Sequence, residues 1–352
     1  MKYNILILIL ILILVLFIGC TSTPSVIVES VDTEIDTEID DTEPELPVAE
    51  YIPQPGHLPV TAFPEIWGYV IVGQEAALRR GLPITDVGYF GAEVDIYGKL
   101  SKVPNRNNLS AFRGRVHLTV TCGNYALTYF ALMPGSPQRR ELIADLIAAT
   151  QNFDGLNIDF ENIPERSGEA FLSFLAELKH GLPDKILSVC LYGRVRTFAN
   201  DVYDYAKIAP LADRIFVMAY DQHWGGGPAG PVSSLSWCRS AAAYSLRVIG
   251  AEKLIMGIPF YGRAWANQFH HRALTFANTQ RIIDTYHVRD IRRENGTPTF
   301  DYNARISVKV YYEDEVSIGA RLVMYKSMGV RAVGFWRIGQ ETPKVWDILR
   351  VE

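Results

Sequence analysis

Cysteine and histidine are scarce in this chain, with four and seven residues among 352. The cysteines have no short spacing, which excludes a disulfide framework and a cysteine-rich metal site. Cys122 and Cys190 fall in strand-like runs, and we interpret them as small core residues. The adjacent His270 and His271 point apart, so they do not form a ligand pair. The sequence therefore predicts neither a metal site nor an organic cofactor.

Excess positive charge is also absent, because the formal net charge is −5 at pH 7. Ten of the 39 acidic residues fall between positions 21 and 60, in a segment without lysine or arginine. Setting that segment and Lys2 aside leaves 29 acidic against 33 basic residues, a balance of about +4. This weak charge does not indicate nucleic acid as a partner, although it suits an enzyme that works near an anionic envelope.

Long apolar runs are absent except for Ile5–Ile18, which follows Lys2 and stops one glycine before Cys20. A basic start, a short apolar run and small residues before a cleavage point are typical of a secretory signal. Segment 1–19 resembles a bacterial lipoprotein signal, with Cys20 as the lipidated first residue and Phe17 where leucine is usual. An uncleaved membrane anchor is the alternative, but a spanning helix needs about 20 apolar residues. Either interpretation predicts a location in the bacterial cell envelope, attached to a membrane and outside the cytoplasm.

Residues 20–60 have no basic residue, and they contain a tandem Asp-Thr-Glu-Ile repeat and several prolines. Such a composition cannot bury enough apolar surface to order itself. Self-repulsion and proline keep the segment extended. We therefore predict a disordered tether over residues 20–60, followed by a single domain over residues 61–352.

The domain alternates strand-like and helix-like segments, which is typical of an α/β fold. The predicted strands are, in order, Ile66–Val72, Asp86–Val94, Val116–Thr121, Gly155–Glu161, Ile186–Leu191, Arg214–Tyr220, Leu254–Ile258 and Ala332–Trp336. The predicted helices are Gln74–Arg80, Pro137–Gln151, Gly168–His180, Val202–Leu211, Leu235–Val248, Glu315–Met328 and Thr342–Arg350. Residues 261–312 are too long for one loop and predict a small α+β insertion between strands seven and eight. The pattern favours a (β/α)8 TIM barrel with this insertion, with an open doubly wound sheet as the alternative.

The segment Asp154–Glu161 carries polar side chains at alternate positions of the fourth predicted strand. Because side chains alternate along a strand, Asn157, Asp159 and Glu161 share one face. Carboxylates at this spacing lie about 6–7 Å apart, within reach of one bound group. Burying two acids together is costly unless they have partners or a chemical role. The spacing therefore fits a catalytic site, and it also fits a solvated strand with structural ion pairs.

The barrel order favours the catalytic interpretation, because catalytic residues of this fold sit at the C-terminal strand ends. Asp159 and Glu161 end the fourth predicted strand, Tyr220 and Asp221 end the sixth, and Trp336 ends the eighth. In a barrel these side chains would meet at one mouth. In an open sheet they would be spread along an edge.

Four motifs in this order resemble those of glycoside hydrolase family 18. Asp154-Gly155-Leu156-Asn157-Ile158-Asp159-Phe160-Glu161 resembles the family's Asp-Gly-x-Asp-x-Asp-x-Glu signature, and Met218–Asp221, Gly257–Arg263 and Gly334–Trp336 resemble its later strand motifs. The family hydrolyses β-1,4 bonds next to N-acetylglucosamine, in chitin or peptidoglycan-type glycans, by substrate assistance. The resemblance covers nearly the whole domain and points to the chitinase-like, spore-cortex-lytic-like branch.

The resemblance also implies a role for each residue of these motifs. Glu161 would protonate the leaving oxygen, while the sugar's own acetamide oxygen attacks the anomeric carbon. Asp159 would hold the acetamide nitrogen, and Tyr220 would hydrogen-bond the acetamide oxygen. Trp336 would form a flat floor under the sugar. The other predicted substrate-binding residues, which bind hydroxyls or brace the pocket, are Met218, Asp221, Tyr261, Arg263 and Tyr69.

Asn157 departs from the family signature, which commonly has aspartate at this position. An aspartate would share a proton with Asp159 and couple the two titrations. Asparagine cannot ionise, although its amide can still hydrogen-bond Asp159. We interpret Asn157 as part of a working catalytic site and expect a rate plateau that extends further toward low pH.

The sequence supports two classes of function for the domain. The first is a monomeric, lipid-anchored glycosidase that acts on N-acetylglucosamine glycans. The second is a non-catalytic, lectin-like protein that binds the same glycans, because a fold does not fix a function. Lectin-like members of the family have typically lost the acid glutamate. Glu161 and Asp159 are both present here, which favours catalysis.

Overall fold

The computed structural model describes residues 56–267 and 270–352 of the chain. The predicted signal segment 1–19, the lipidation site Cys20 and all but the last residues of the predicted tether lie outside the described residues. Within the two described ranges, no helix is long and apolar enough to cross a bilayer.

Eight parallel strands close into a barrel, which confirms the predicted (β/α)8 fold. The ring closes because the first strand pairs with both the second and the eighth. The barrel strands, numbered in chain order, are β1 (Glu65–Ile71), β2 (Asp86–Val94), β3 (Arg115–Cys122), β4 (Gly155–Asp159), β5 (Ile186–Tyr192), β6 (Arg214–Met218), β7 (Leu254–Pro259) and β8 (Ala332–Trp336). Their near-continuous apolar runs suit parallel strands that are covered on both faces.

Seven α-helices are found in the described residues, and most of them cover the outside of the barrel. They are α1 (Tyr125–Leu132), α2 (Pro137–Thr150), α3 (Gly168–Gly181), α4 (Tyr205–Ile208), α5 (Leu235–Val248), α6 (Phe276–Thr285) and α7 (Glu315–Ser327). Local sequence signals set several of these limits. The Ser136 side chain caps α2 with a proline in its first turn, and Asp314 and Ser317 form a capping box at α7.

A cluster of large side chains fills the barrel interior below the C-terminal strand ends. It consists of Trp67, Tyr69, Cys190, Phe216, Met218, Ile255 and Ala332. Phe216 fits because glycine faces it from β8, where a Cβ at Gly334 would lie 2.2 Å from the ring. The interior is thus packed, and only its upper end is open for a ligand.

Three predicted helices are wrong in extent or type. Gln74–Arg80 contains only a 3₁₀ turn at Glu75–Ala77, because Gly73 with φ +84 and Pro83 leave room for little more. Val202–Leu211 is reduced to α4 and a following 3₁₀ turn. Thr342–Arg350 forms a 3₁₀ turn followed by a strand, Leu349–Val351, which pairs with Thr61–Phe63. In that pairing, the backbone of Leu349–Val351 finds its hydrogen-bond partners in a distant segment. The tertiary contact therefore overrides the local helix-like pattern.

The insertion between β7 and β8 is confirmed and is larger than the sequence predicted. It contains α6 and a five-stranded antiparallel sheet, whereas the sequence predicted only a small α+β unit. In sheet order its strands are His270–Leu274, Gly262–Asn267, Ser307–Tyr311, Thr297–Asn303 and Arg292–Glu294. A separate apolar cluster, which includes Ala264, Phe300 and Val310, forms its core. The insertion is therefore a small folded unit on one side of the barrel mouth.

Candidate active site

A cavity of about 180 Å³ opens at the C-terminal ends of the barrel strands. Most of the predicted site residues line it, together with three that the sequence argument did not select. The lining residues are Tyr69, Phe90, Asp159, Glu161, Cys190, Tyr192, Met218, Tyr220, Asp221, Tyr261 and Trp336. Two predicted residues do not line it: Asn157 lies below it, and Arg263 lies in an adjoining groove. The structure therefore gathers side chains from strands far apart in the sequence at one mouth.

Asp159 is the last residue of β4 and is only 6% exposed. Its Oδ1 atom has no hydrogen-bond partner among the described residues. Burial raises its pKa to about 7, the charge of Glu161 adds to the effect, and the Cys190 thiol opposes it. A buried carboxyl oxygen without a donor is costly. The site therefore has a strong preference for a ligand that brings an N–H or O–H group to this atom.

Glu161 lies two residues beyond the end of β4, so it does not share the strand as the sequence predicted. The β4–β5 ladder ends at Ile158, and the chain leaves the barrel after Asp159. The residue as a whole is exposed at the mouth, yet its carboxyl group is partly shielded from solvent by the protein. That burial raises the pKa of Glu161, the nearby Tyr192 hydroxyl opposes the rise, and the charge of Asp221 adds to it. Because the charge of Glu161 also raises the pKa of Asp159, Asp159 and Glu161 titrate as a pair.

Two tyrosines hold the segment that carries Glu161. The Tyr192 hydroxyl at the end of β5 donates to the Glu161 carbonyl oxygen at 2.8 Å. The Tyr203 hydroxyl accepts from the Ile163 backbone N–H at 3.1 Å. Burial raises the pKa of Tyr192 far above the neutral range, so it remains a neutral donor. These contacts fix an acid that stands on a loop rather than on a strand.

Asn157 is fully buried below Asp159. Its Oδ1 accepts from the Tyr69 hydroxyl at 2.9 Å and from Thr119 Oγ1 at 3.3 Å. Its Nδ2 donates to Ser188 Oγ at 2.9 Å. The expected hydrogen bond from the Asn157 amide to Asp159 is therefore wrong, because the amide points across to β5. Asn157 and Tyr69 support the cavity floor from beneath.

Cys190 is one of the three lining residues that the sequence did not reveal, because it was interpreted as an ordinary core residue. It is buried, but its side chain lines the cavity beside the acids. Its Sγ lies 3.2 Å from the Tyr69 hydroxyl and 3.5 Å from Asn157 Oδ1. Burial, then the charge of Asp159, raises the pKa of the thiol, which stays protonated. The alternation Ser188, Cys190, Tyr192 along β5 was the available signal, because these residues share one face.

Beyond the end of β6, Tyr220 and Asp221 form the opposite wall. Asp221 has a left-handed backbone with φ +55, which turns its side chain toward the insertion. Its Oδ1 accepts from Arg263 Nε at 3.0 Å and from Arg263 Nη2 at 2.7 Å. The Arg263 guanidinium also lies 5.5 Å from the Tyr261 ring centre. These contacts with Asp221 and Tyr261 fit the predicted bracing role of Arg263, which also lines the adjoining groove.

The exit of the insertion is attached to the same segment through a buried ion pair. Glu313 and Arg321 are paired with 1% of each side chain exposed. Arg321 Nη1 donates to the Ser233 carbonyl oxygen at 2.5 Å. The Ser233 hydroxyl then donates to the Ala219 carbonyl oxygen at 2.6 Å, directly before Tyr220. Both ends of the insertion are thus tied to the segment that follows β6.

Trp336 ends β8 and forms part of the cavity floor. Its ring centre lies 5.4 Å from that of Tyr69 and 5.0 Å from that of Phe90. The Trp336–Arg337 peptide bond is cis. Because its neighbours leave the ring half-buried, Trp336 presents a flat apolar surface to the cavity. Met218 lines the wall from the end of β6.

The chemistry available at this mouth is proton transfer between paired carboxyls over an aromatic floor. In residues 56–267 and 270–352, no cluster of three or more His, Cys, Asp and Glu side chains could hold a metal ion. The adjoining groove adds the exposed Trp224 and the half-buried Trp237. The arrangement suits an extended polar ligand with flat apolar faces.

Comparison with known proteins shows matches over most of the domain. The model of "Glycosyl hydrolases family 18" matches residues 91–341. A Bacillus subtilis protein described as an uncharacterized glycosylase is 28% identical over 222 residues, which is 58% of this chain and 62% of that protein. The cortical fragment-lytic enzyme of Bacillus anthracis is 24% identical over 64% of this chain and 56% of that enzyme. The chain thus spans less than two thirds of the length of these curated relatives.

Among solved structures, the Bacillus cereus spore cortex-lytic enzyme SleL superposes with a TM-score of 0.74 at 22% sequence identity. The match covers 83% of this chain and 76% of that one. At this identity the superposition establishes the shared fold.

Proposed function

The chain belongs to glycosyl hydrolases family 18, and we propose that it hydrolyses β-1,4 bonds next to N-acetylglucosamine in peptidoglycan or chito-oligosaccharides. We infer a retaining, substrate-assisted mechanism, in which the substrate acetamide and no enzyme group is the nucleophile. The observation that carries this proposal is the buried Asp159 carboxyl, whose Oδ1 has no donor among the described residues. An acetamide N–H is a donor of the kind that this atom lacks.

Asp159 and Glu161 have different roles, and these depend on which of the two carboxyl groups carries the proton that they share. Because Asp159 is the more deeply buried, burial favours the proton on Asp159. A hydrogen bond from the acetamide N–H to Asp159 favours its charged form and leaves the proton to Glu161. The active pair is then a protonated Glu161, which acts on the leaving oxygen, and an ionised Asp159, which offsets the positive oxazolinium ion. Substrate binding in this way prepares the acid that the reaction needs.

The cavity walls support the same pose of the sugar. Tyr220 lines the cavity opposite the acids, with the pKa of its hydroxyl raised by burial, and so remains a neutral donor for the acetamide oxygen. Trp336 lies below as a floor for the apolar face of the ring. Asp221 and Tyr261, fixed by Arg263, offer groups for sugar hydroxyls.

Peptidoglycan is the substrate that we favour. One of the similar proteins is described as a cortical fragment-lytic enzyme and another as a spore cortex-lytic enzyme. The sequence also predicts a lipid anchor at Cys20, which would keep a monomeric enzyme in the cell envelope, beside peptidoglycan. The anchor, the location and the monomeric state are parts of this proposal.

The test compares wild type with Glu161→Gln on chito-oligosaccharides and on purified peptidoglycan. Loss of the general acid lowers kcat by about 10²–10⁴-fold, while KM changes little. Glu165→Gln is the matched control, because Glu165 is exposed on the same loop and does not line the cavity. If the wild type binds the glycans but cleaves neither substrate, the proposed hydrolysis is wrong and the lectin-like function is favoured.

A further inference from the structure

A second concave site lies on the flank of the barrel, between the two loops that lead into β2 and β3. Residues 78–84 and 111–114 line it around a volume of about 390 Å³. It occupies the place where the sequence predicted a helix and the structure has only the 3₁₀ turn Glu75–Ala77. The short turn leaves a groove that a full helix would cover.

Three arginines, Arg79, Arg80 and Arg113, stand around this groove, and no acidic residue lines it. All three are exposed. Among the described residues, none of the three guanidinium groups has a salt bridge, a side-chain hydrogen bond or an aromatic partner. Three cations at one groove repel one another, so an anion between them is favoured.

Several other arginines near this end of the barrel have acidic partners, in contrast to the three arginines of the groove. Arg115 Nε lies 2.6 Å from Asp86 Oδ1. Arg214 Nε lies 3.0 Å from a Glu65 carboxyl oxygen, and Arg331 is paired with Glu252. The three groove arginines therefore differ from these neighbours in having no acidic partner among the described residues.

We propose that the arginine groove binds the phosphate of an anionic phospholipid headgroup. Guanidinium groups present planar forks that match phosphate oxygens. Leu82, Ile84 and Phe112 form an apolar floor, which suits the glycerol and upper acyl carbons better than a bare inorganic ion. The apolar run Ile5–Ile18 in the sequence predicts attachment to a membrane, which would supply such headgroups at high local concentration.

The location of the groove gives this binding a consequence for orientation. Its loops precede β2 and β3, whereas the residues of the candidate active site follow the strands. The groove therefore lies toward the opposite end of the barrel from the cavity. Headgroup binding there turns the cavity away from the bilayer and toward the glycan layer. This inference does not depend on the proposed chemistry.

The experiment titrates the full-length chain, held in a nonionic detergent, with three soluble probes. They are dihexanoyl phosphatidylglycerol below its micelle concentration, the matching phosphatidylcholine, and inorganic phosphate. We expect the phosphatidylglycerol to bind and the other two to bind much more weakly. Replacing Arg79, Arg80 and Arg113 together by glutamine weakens that binding by on the order of 100-fold, at about fivefold per arginine. Added salt weakens it further.

Arg331→Gln is the matched control, because it removes an exposed arginine that already has a partner. It should leave the affinity unchanged, and the triple variant should keep its thermal unfolding midpoint and its glycan hydrolysis. Equal affinity for phosphatidylcholine, or for inorganic phosphate, would overturn the proposal of an anionic lipid. An affinity that the triple substitution does not change would overturn the site itself.

Discussion

Replacing Asn157 by aspartate tests whether the uncharged side chain beneath Asp159 helps to set the pKa of that acid. In the variant, Oδ1 keeps the donors Tyr69 and Thr119, which favour the ionised form of the new carboxyl. The new charge lies on the same strand face as Asp159, about 7 Å away. At an effective dielectric constant of about 20, the repulsion is roughly 2.4 kcal/mol. That raises the pKa of Asp159 by about 1.7 above its present value of about 7.

The sign of the effect follows from the form of Asp159 that the proposed reaction uses. The ionised form is active, so a raised pKa moves the acid limb of the kcat/KM profile to higher pH. We expect the acid limb to move by about 1.7 pH units. At any pH well below that limb, this shift lowers kcat/KM by roughly 50-fold. The assay is hydrolysis of a fluorogenic chito-oligosaccharide from pH 4 to pH 9 at constant ionic strength.

Asn157→Leu is the control, because it removes every side-chain hydrogen bond of Asn157 and adds no charge. Its profile should keep the position of the wild-type acid limb, even if the rate falls at every pH. An Asn157→Asp enzyme with an unmoved acid limb would refute the argument, because the two positions would then not be coupled.

Two further substitutions test the support of the site. Cys190→Ala removes the thiol that lowers the pKa of Asp159, so the acid limb moves to higher pH and kcat/KM below it falls about two- to tenfold. Cys190→Ser should restore the profile in the same assay, and a Cys190→Ala profile like that of wild type would speak against this role. Arg321→Met leaves Glu313 buried without its partner, and urea unfolding should show a loss of about 3–5 kcal/mol. The surface variant Arg331→Met should change stability by less than about 0.5 kcal/mol, and an equal loss in both variants would contradict the argument.

The barrel was predictable because its signals are local and repeat eight times. Each barrel strand is an apolar run, and segments such as Asp86–Val94, Leu235–Val248 and Ala332–Trp336 agree with the structure at both ends. At the end of the domain the prediction failed because a distant segment decides the conformation. Thr342–Arg350 has a helix-like pattern, yet its last residues gain backbone partners from Thr61–Phe63, which no local pattern reveals.

The composition of the candidate site was predictable in the same way, because strand ends meet at the mouth of a barrel. The hydrogen-bond partners of these residues could not be predicted from the sequence. From the sequence, the Asn157 amide could donate a hydrogen bond to Asp159 on its own strand or to Ser188 on the next. Packing decides between the two acceptors, and the structure has the bond to Ser188. Cys190 was missed because a lone cysteine in an apolar run is usually a core residue. Its importance comes from Tyr69 and Asp159, which lie far away in the sequence.

The two attachments of the insertion have a consequence for how such enzymes can diversify. Arg263 holds the first strand of the insertion to Asp221, and Glu313 holds its exit through Arg321. The chain between these points has its own sheet and apolar core. It can therefore lengthen, shorten or be exchanged without displacing Tyr220. For the proposed reaction, we therefore propose that the insertion is an exchangeable wall of the cleft, which can vary with the glycan while the reacting groups stay in place.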